Sequence, residues 1–421
     1  FFQKIKLVFS DEVLRRRILF TLVGLALFRL LASVPIPGIN TFELSRFLSN
    51  NQLFGLINVF SGGGLSNLSI VMLGVGPYIT ASIIMQLSTF VSDRLKRLYQ
   101  EEGDAGRKKF SQYSRILSIP LAVLQAIPFL ILLQKQGVIG EMSTFTLAIN
   151  VIVITAGSVL LMWLGELITE FGIGNGVSLI IFSGIVASIP STLAQTLYSF
   201  DQSQIPMYLA FAALALFTIY AVVFITEAER PIPVAYAKRM RGNKVYGGVS
   251  TYLPLRLNQA GVIPIIFALS LLLFPQMILN FITTSVSNPT VATVSEKILA
   301  LLANNWIYAG LYFVLVFLFT YFYTAVTFDP KQISENLQKN GAFIPGVRPG
   351  VSTAEHIGKV VTRITLVGAL FLGLIAVLPL IIRALSGIQS LAIGGTALLI
   401  VVSVVIDLVK KIDAQIAMRE Y

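Results

Sequence analysis

About ten stretches of roughly 18 or more mainly apolar residues recur along this chain, and each is long enough to cross a bilayer core of roughly 30 Å as a helix. They fall near 18–34, 68–90, 113–133, 147–168, 177–197, 207–226, 258–279, 306–326, 364–382 and 391–408. No soluble domain hides so much apolar surface: of 421 residues 55% are hydrophobic and only 12% charged, with a mean hydropathy of +0.81. The pattern predicts an all-α polytopic membrane protein with ten transmembrane helices.

One apolar piece does not fit that series. Leu53, Phe54, Leu56, Ile57 and Phe60 belong to a segment far too short to span, and it breaks at Ser61, Gly62, Gly63 and Gly64 before the second long run begins. A short helix folding back beside a long one is one reading; irregular backbone at membrane depth is tolerated only where protein buries it or a water-filled cavity meets it. An extracytoplasmic turn followed by a loop resting on the membrane surface is the other.

Basic residues near span ends are retained on the cytoplasmic side. The N-terminal tail, the loops after even-numbered spans and the C-terminal tail hold 26 of the 31 Lys and Arg residues. Both termini are therefore expected in the cytoplasm, and the net charge of +11 is mostly a topology signal. Exceptions are Arg46, Lys135, Lys297 and Arg383 on the other side and Arg29 within a span. With five spans before residue 200 and five after, halves that share a fold must enter the membrane from opposite faces, and such inverted repeats place a pathway between them near the midplane. The expected units are 1–200, with an interfacial helix over 1–17, and 201–421.

The absence of cysteine excludes disulfides, thiolate metal sites and thiol nucleophiles in this chain. The first apolar run lacks a small-x-small cleavage pattern and does not read as a removable signal peptide. Walker, H-E-x-x-H and G-x-S-x-G patterns are missing, so no enzyme is expected. Gly172-Ile-Gly-Asn-Gly176 has neither the preceding strand nor the spacing of a nucleotide loop and reads as a tight connection. His356, the only histidine, has no second ligand nearby and reads as a surface residue. Asp407, Glu166, Glu170, Glu227 and Glu229 lie near cytoplasmic span ends, where they reach water; that weakens a proton relay.

Two basic loops, about 227–257 and 328–363, should stand out from the membrane. The first carries Lys238, Arg239, Arg241, Lys244 and Arg256; the second frames Arg348 between Pro345-Gly346 and Pro349-Gly350. Such cations pair with phosphates or carboxylates, and anionic lipid headgroups attract them too.

Eight motifs appear in order: PIPG (35–38), FSGG (60–63), PYITASIIMQL (77–87), EEGDAGRKKF (101–110), GIGNG (172–176), AGVIP (260–264), GAFIPGVRPG (341–350) and GGTALLIVV (394–402). Together they make nearly the whole chain resemble the SecY family of protein-conducting channels. The resemblance implies two inverted five-helix halves around a central pore, with a short plug helix at about 53–64 hinged on Gly62, Gly63 and Gly64. It implies an aliphatic ring, carried over onto Val75, Ile79, Val177, Ile181, Ile266 and Ile400; a constriction of this kind dewets and holds back ions. It places a lateral seam between spans two and three and spans seven and eight, with Thr80, Gln125 and Phe274 as lining candidates. Helix-to-helix hydrogen bonding explains Thr80 and Gln125 equally well. Implied partners are small membrane subunits resembling SecE and SecG, a motor ATPase resembling SecA, and the ribosome with its RNA. Signal sequences and nascent chains are the implied cargo, and anionic lipid the surroundings. No bound cofactor is implied, and the location is a bacterial-type plasma membrane or a thylakoid membrane. The competing reading, an inverted-repeat transporter for a small solute, requires charged or strongly polar groups at mid-span, where only Arg29 stands.

Overall fold

The computed structural model describes residues 11–36, 58, 61, 63–65, 67–135, 137–140, 142–198, 205–236, 239–241, 244–246, 250–285, 289–386 and 390–417. In chain order its helices begin with α1 (Glu12–Ala32), α2 (Gly76–Val91), the short α3 (Asp93–Gln100), α4 (Gly103–Lys135), α5 (Thr144–Phe171), α6 (Gly176–Tyr198) and α7 (Ile205–Glu227). A second series follows: α8 (Ile263–Ser285), α9 (Pro289–Ala303), α10 (Asn305–Thr327), α11 (Pro330–Lys339), α12 (Val351–Ser386) and α13 (Ser390–Ala417). Each of the ten apolar runs has its helix; α3, α9 and α11 are connections that carry no run of their own. Among the described residues, Gly103–Lys135, Thr144–Phe171, Asn305–Lys339 (which takes in α10 and α11) and Val351–Ile382 are long and apolar enough to cross a membrane by length and composition alone.

Polar side chains end these helices where the backbone runs out of partners. Asp11 accepts from the Val13 and Leu14 N–H groups at 2.9 and 3.2 Å, Ser143 from Thr146, Asn304 from Trp306, and Asp329 from Lys331. Gly174, at φ +93°, makes the turn between α5 and α6, and its neighbour Ile173 donates its N–H to Thr21 Oγ1 on α1 at 3.1 Å.

The second run departs from expectation in its first eight residues, which are turns with a β-bridge from Ser69 to Pro35; helix begins only at Gly76, with Pro77 in the first turn. The chain there pairs with the segment after α1, since Ile36 N–H donates to Leu68 O at 2.9 Å and Ile70 N–H to Val34 O at 3.0 Å. Ser158 Oγ on α5 donates to Gly74 O at 2.8 Å. These bonds satisfy polar backbone that lipid could not. Gly157 lets the turn close in: a Cβ there would stand 2.1 Å from Ile70 O.

The loop after α7 is not irregular. Strands β1 (Glu229–Tyr236) and β4 (Ser250–Arg256) pair antiparallel from Glu229↔Arg256 to Ala235↔Ser250, and β2 (Arg239–Arg241) pairs with β3 (Lys244–Tyr246) at the tip. From the next large loop, β5 (Ala342–Phe343) joins the free edge of β1 at Ala235↔Phe343. Ile232, Leu255, Ile344, Ile357, Val361 and Ile364 form a small core that seats this sheet on the start of α12.

The helices meet around one large apolar core. Within the first half, α2 packs on α4, α4 on α5, and α5 on α6 and α1; within the second, α12 packs on α10 and α13, and α10 on α8. The halves touch along two lines, α8 against α2 and α4, and α13 against α6.

Candidate functional site

Val75, Ile79, Ile181, Ile266 and Ile400 are buried, at 0–7% exposure, in that one core cluster, and Val177 packs against it. Four helices, α2, α6, α8 and α13, bring them there from positions as distant in sequence as 75 and 400. Val75 is the N-cap of α2, and its carbonyl accepts from Ile79 N–H at 3.0 Å, so the pair sits one turn apart.

Val177 also reaches α5. Its Cγ2 lies 3.1 Å from where a Cβ on Gly165 would be, with Ile180 Cδ1 at 3.4 Å. Both side chains therefore point at α5. On the same helix Asn175 and Ser178 line a cytoplasmic-end cavity. At about 100° per residue, Ile181 and then Ile185 turn progressively from the α5 side toward that cavity side. Ile185 (4% exposed) belongs to the same buried cluster, as does Ile83 (3%), one turn beyond Ile79. Neither was singled out from the sequence, although continuing the four-residue step by one turn reaches both.

The cavity measures about 240 Å³ and lies between the N-terminal turn of α6, the start of α8 and the C-terminal part of α13. Asn175, Ser178, Asn258, Gln259, Ser403 and Asp407 give it polar walls. Its rim is stitched by ion pairs: Arg256 to Glu229 at 3.4 Å, Lys410 to Glu227 at 2.9 Å and Lys411 to Asp407 at 3.1 Å. Among the described residues, no cluster of His, Cys, Asp and Glu has the makings of a metal site.

Along the other line of contact α8 closes against α2 and α4, and the Phe90 ring at the end of α2 meets Phe322 of α10 at 4.8 Å. Thr80 Oγ1 donates to Gly76 O at 3.0 Å within its own helix, the ordinary helical fate of a threonine. Gln125 is buried on α4. Phe274 lies on α8, with its side chain outside the described residues. Two glutamines that the sequence reading passed over stand on the same helices: Gln86 and Gln276 each bury an Oε1 with no partner among the described residues. Mid-span amides on adjoining helices are the signal that would have found them.

Leu53, Phe54, Leu56, Ile57, Phe60 and Gly62 lie outside the described residues, so the short helix expected there does too. Gly63 adopts φ +83°, a conformation that favours glycine, and a Cβ on it would stand 3.4 Å from an Arg29 guanidinium nitrogen. Arg29 itself falls in the last turn of α1. The one charge expected at mid-span is thus at a helix end, and the small-solute transporter reading loses its only ionisable candidate.

Of the basic loop residues, Arg239, Arg241 and Lys244 lie on the β2–β3 tip, with only their backbone described, and Lys238 lies outside the described residues. Arg348 is exposed on the turn between β5 and α12. Its carbonyl accepts from Thr353 Oγ1 at 2.8 Å, Gly350 O accepts from Ser334 Oγ at 2.6 Å, and Gly346 and Gly350 have positive φ. The β1–β5 pairing joins the two basic loops into one platform.

A helical membrane bundle whose halves meet over a buried aliphatic cluster, with a polar cavity at one end and a second line of helix contact at the side, has the make-up of a channel subunit. The SecY family model matches residues 69–409. The chain is 45% identical over 427 residues to the protein translocase subunit SecY of Mycobacterium bovis, covering 97% of this chain and 96% of that one. It is 42% identical over 432 residues to the Corynebacterium glutamicum subunit, covering 98% and 97%. This chain belongs to the SecY family. Among solved structures it resembles a protein-conducting channel (TM-score 0.66, 18% identity, covering 95% of this chain and 92% of that one) and Sec61 in the canine ribosome–channel complex from the endoplasmic reticulum (0.62, 18%, 95% and 92%). The fold is therefore the ten-helix SecY/Sec61 channel architecture, with a β-platform that the all-helical expectation left out.

Proposed function

We infer that this chain is the channel-forming subunit of a protein translocase, passing unfolded polypeptides across a bacterial membrane and releasing apolar segments sideways into lipid. What supports the reading is the buried cluster that draws Ile79, Ile83, Ile181 and Ile185 from the first half together with Ile266 and Ile400 from the second; these side chains form the aliphatic waist. Val75 caps it and Val177 braces α6 behind it. Aliphatic side chains can part for a chain of any sequence and close again without leaving a polar group unpaired. The units 1–200 and 201–421 act as the two jaws, and the segment from Leu53 to Phe60 plugs the outer funnel, swinging on Gly62, Gly63 and Gly64.

The seam is the line where α2 and α4 meet α8 and α10. An unpaired buried acceptor costs about 1–3 kcal/mol, so Gln86 and Gln276 hold the closed seam below its best stability. Thr80, Gln125 and Phe274 line the same route. A leucine-rich segment gains on leaving through it, whereas each central Asp, Lys or Arg costs about 2.5–3.5 kcal/mol.

Charge distribution supports cytoplasmic termini and a cytoplasmic platform. There Arg348 and the tip residues Lys238, Arg239, Arg241 and Lys244, with Arg256 beside Glu229, are the docking cations for ribosomal RNA and for a motor ATPase resembling SecA. The outward apolar side chains of α7, Leu209, Leu216, Phe217 and Phe224, are 62–68% exposed and fit lipid or small subunits resembling SecE and SecG. The test is reconstitution of the chain with its partners in vesicles. A radiolabelled secretory precursor should become protease-protected inside; a precursor that stays fully digestible overturns the reading.

A further inference from the structure

We propose that α9 lies flat in the membrane surface with one stripe of its side chains immersed among lipid acyl chains, anchoring the two seam helices it connects. The inference rests on reading α8 and α10 as membrane spans and on nothing about what the channel carries. No apolar run marked α9 in the sequence. It follows α8, which ends at Ser285, and is separated from the start of α10 by Asn304 alone. It packs against both helices. Those attachments hold it at the level where both spans leave the bilayer.

Its side chains sort into three faces. Ser295 is buried and Leu299 and Leu302 are half-buried, which marks the side turned to the protein. At about 100° per residue, these three share an arc of about 60°. Val291, Val294, Ile298 and Leu301 occupy the neighbouring arc of about 80°. They are 41%, 54%, 42% and 54% exposed. Thr293, Glu296, Lys297 and Ala300, all exposed, fill the remaining side, and Glu296 and Lys297 are the only charged residues of the helix. A helix that needed only a protein neighbour and water would carry one apolar face. This one carries a further apolar arc beside the first, left 41–54% exposed among the described residues.

What covers that face is set by the helix that follows. Trp306, Ile307, Leu311, Val314 and Leu318 of α10, the spanning helix into which α9 leads, are exposed at 39–62% and give it an outward apolar surface of its own. Trp306 stands at the junction, at the depth where tryptophan favours the headgroup boundary. An amphipathic helix bound in this way sinks about 5–10 Å into the boundary between headgroups and acyl chains. Lys297, next to the stripe, can extend its ammonium to the phosphates while its methylenes stay in the apolar layer. Because α8 and α10 form one side of the seam, immersion of α9 ties that side to the lipid leaflet.

The chain contains no cysteine, so single probes can be placed without further substitution. Val294→Cys, Ile298→Cys and Glu296→Cys variants of the full chain, labelled with an environment-sensitive nitrobenzoxadiazole, are reconstituted in phosphatidylcholine–phosphatidylglycerol vesicles. Probes at 294 and 298 should show blue-shifted emission, be quenched by nitroxide on lipid acyl chains and resist aqueous iodide. The probe at 296 should show the reverse. Water-like emission at all three positions overturns the proposal. So does shielding of 294 and 298 from both quenchers, which would mean that protein and not lipid covers the stripe. Since the readout is fluorescence, failure of precursor transport in the same vesicles is separately visible.

Discussion

Replacing Gly176 with alanine should weaken the protein and make its closed state leak. Gly176 opens α6 where that helix crosses α5, and a Cβ there would lie 1.9 Å from Gly165 O, 2.7 Å from the Gly165 carbonyl carbon and 2.8 Å from Ile168 Cβ. The first two obstacles are backbone and cannot rotate away. Restoring ordinary contact at 3.4 Å requires the helices to part locally by about 1.5 Å, the difference between the two distances. Strain of that kind costs about 1–3 kcal/mol. It also loosens the bond from Gly176 N–H to Thr169 Oγ1, now 2.8 Å. Since α6 carries Ile181 and Ile185 and packs on α13, which carries Ile400, the displacement reaches the waist. Single-channel recording in planar bilayers should show brief ion openings that the unaltered protein lacks, with a lower melting temperature in detergent. Gly310→Ala, on α10 where a Cβ meets nothing within 4 Å, is the control and should change neither. A Gly176→Ala protein with unaltered melting and a silent bilayer would refute the link between the α5–α6 crossing and the seal.

Three further outcomes are expected. Ile181→Gly with Ile185→Gly should leak ions at rest, while Val177→Ala, whose side chain faces Gly165, should lower thermal stability and leave conductance silent; a leak from Val177→Ala alone would return that residue to the ring. Gln276→Leu removes a buried acceptor that has no partner among the described residues and should stabilise the closed seam by about 1–3 kcal/mol, slowing lateral release of weakly apolar segments in a glycosylation-mapping or crosslinking assay; faster release would contradict it. Arg348→Ala and Arg348→Lys should both weaken cosedimentation with ribosomes or the motor ATPase, because a planar guanidinium is not replaced by an ammonium, while melting is unchanged; full binding by the lysine variant would leave only a charge requirement.

Spans were legible because the length of an apolar run is a local property, and all ten runs found their helices. Their ends were less so: residues 68–75 are apolar enough for helix, yet Gly74, Gly76 and Pro77 delay it, and what the turns bond to, Ser158 and Val34, is remote in sequence. The β1–β4 hairpin was read as a loop because Pro231, Pro233 and Pro254 interrupt any simple strand pattern; the structure tolerates them with Pro231 opposite Pro254. Helix α9 escaped because its 15 residues fall short of a span and Glu296 and Lys297 interrupt their apolar sequence. For the waist, a four-residue spacing puts side chains on one face and does not say toward which neighbour. The approach of Val177 to Gly165 on α5 is a contact that spacing alone did not reveal.

The pairing of β5 with β1 has a mechanical consequence. Through β1 and β5, more than a hundred residues apart in sequence, the two basic loops are joined to each other and seated on the leading turns of α12, a rod of about 54 Å at 1.5 Å per residue. A partner that grips either loop grips the second half of the channel directly. Force applied at β1, β4 or β5 would reach the bilayer through hydrogen-bonded sheet and continuous helix.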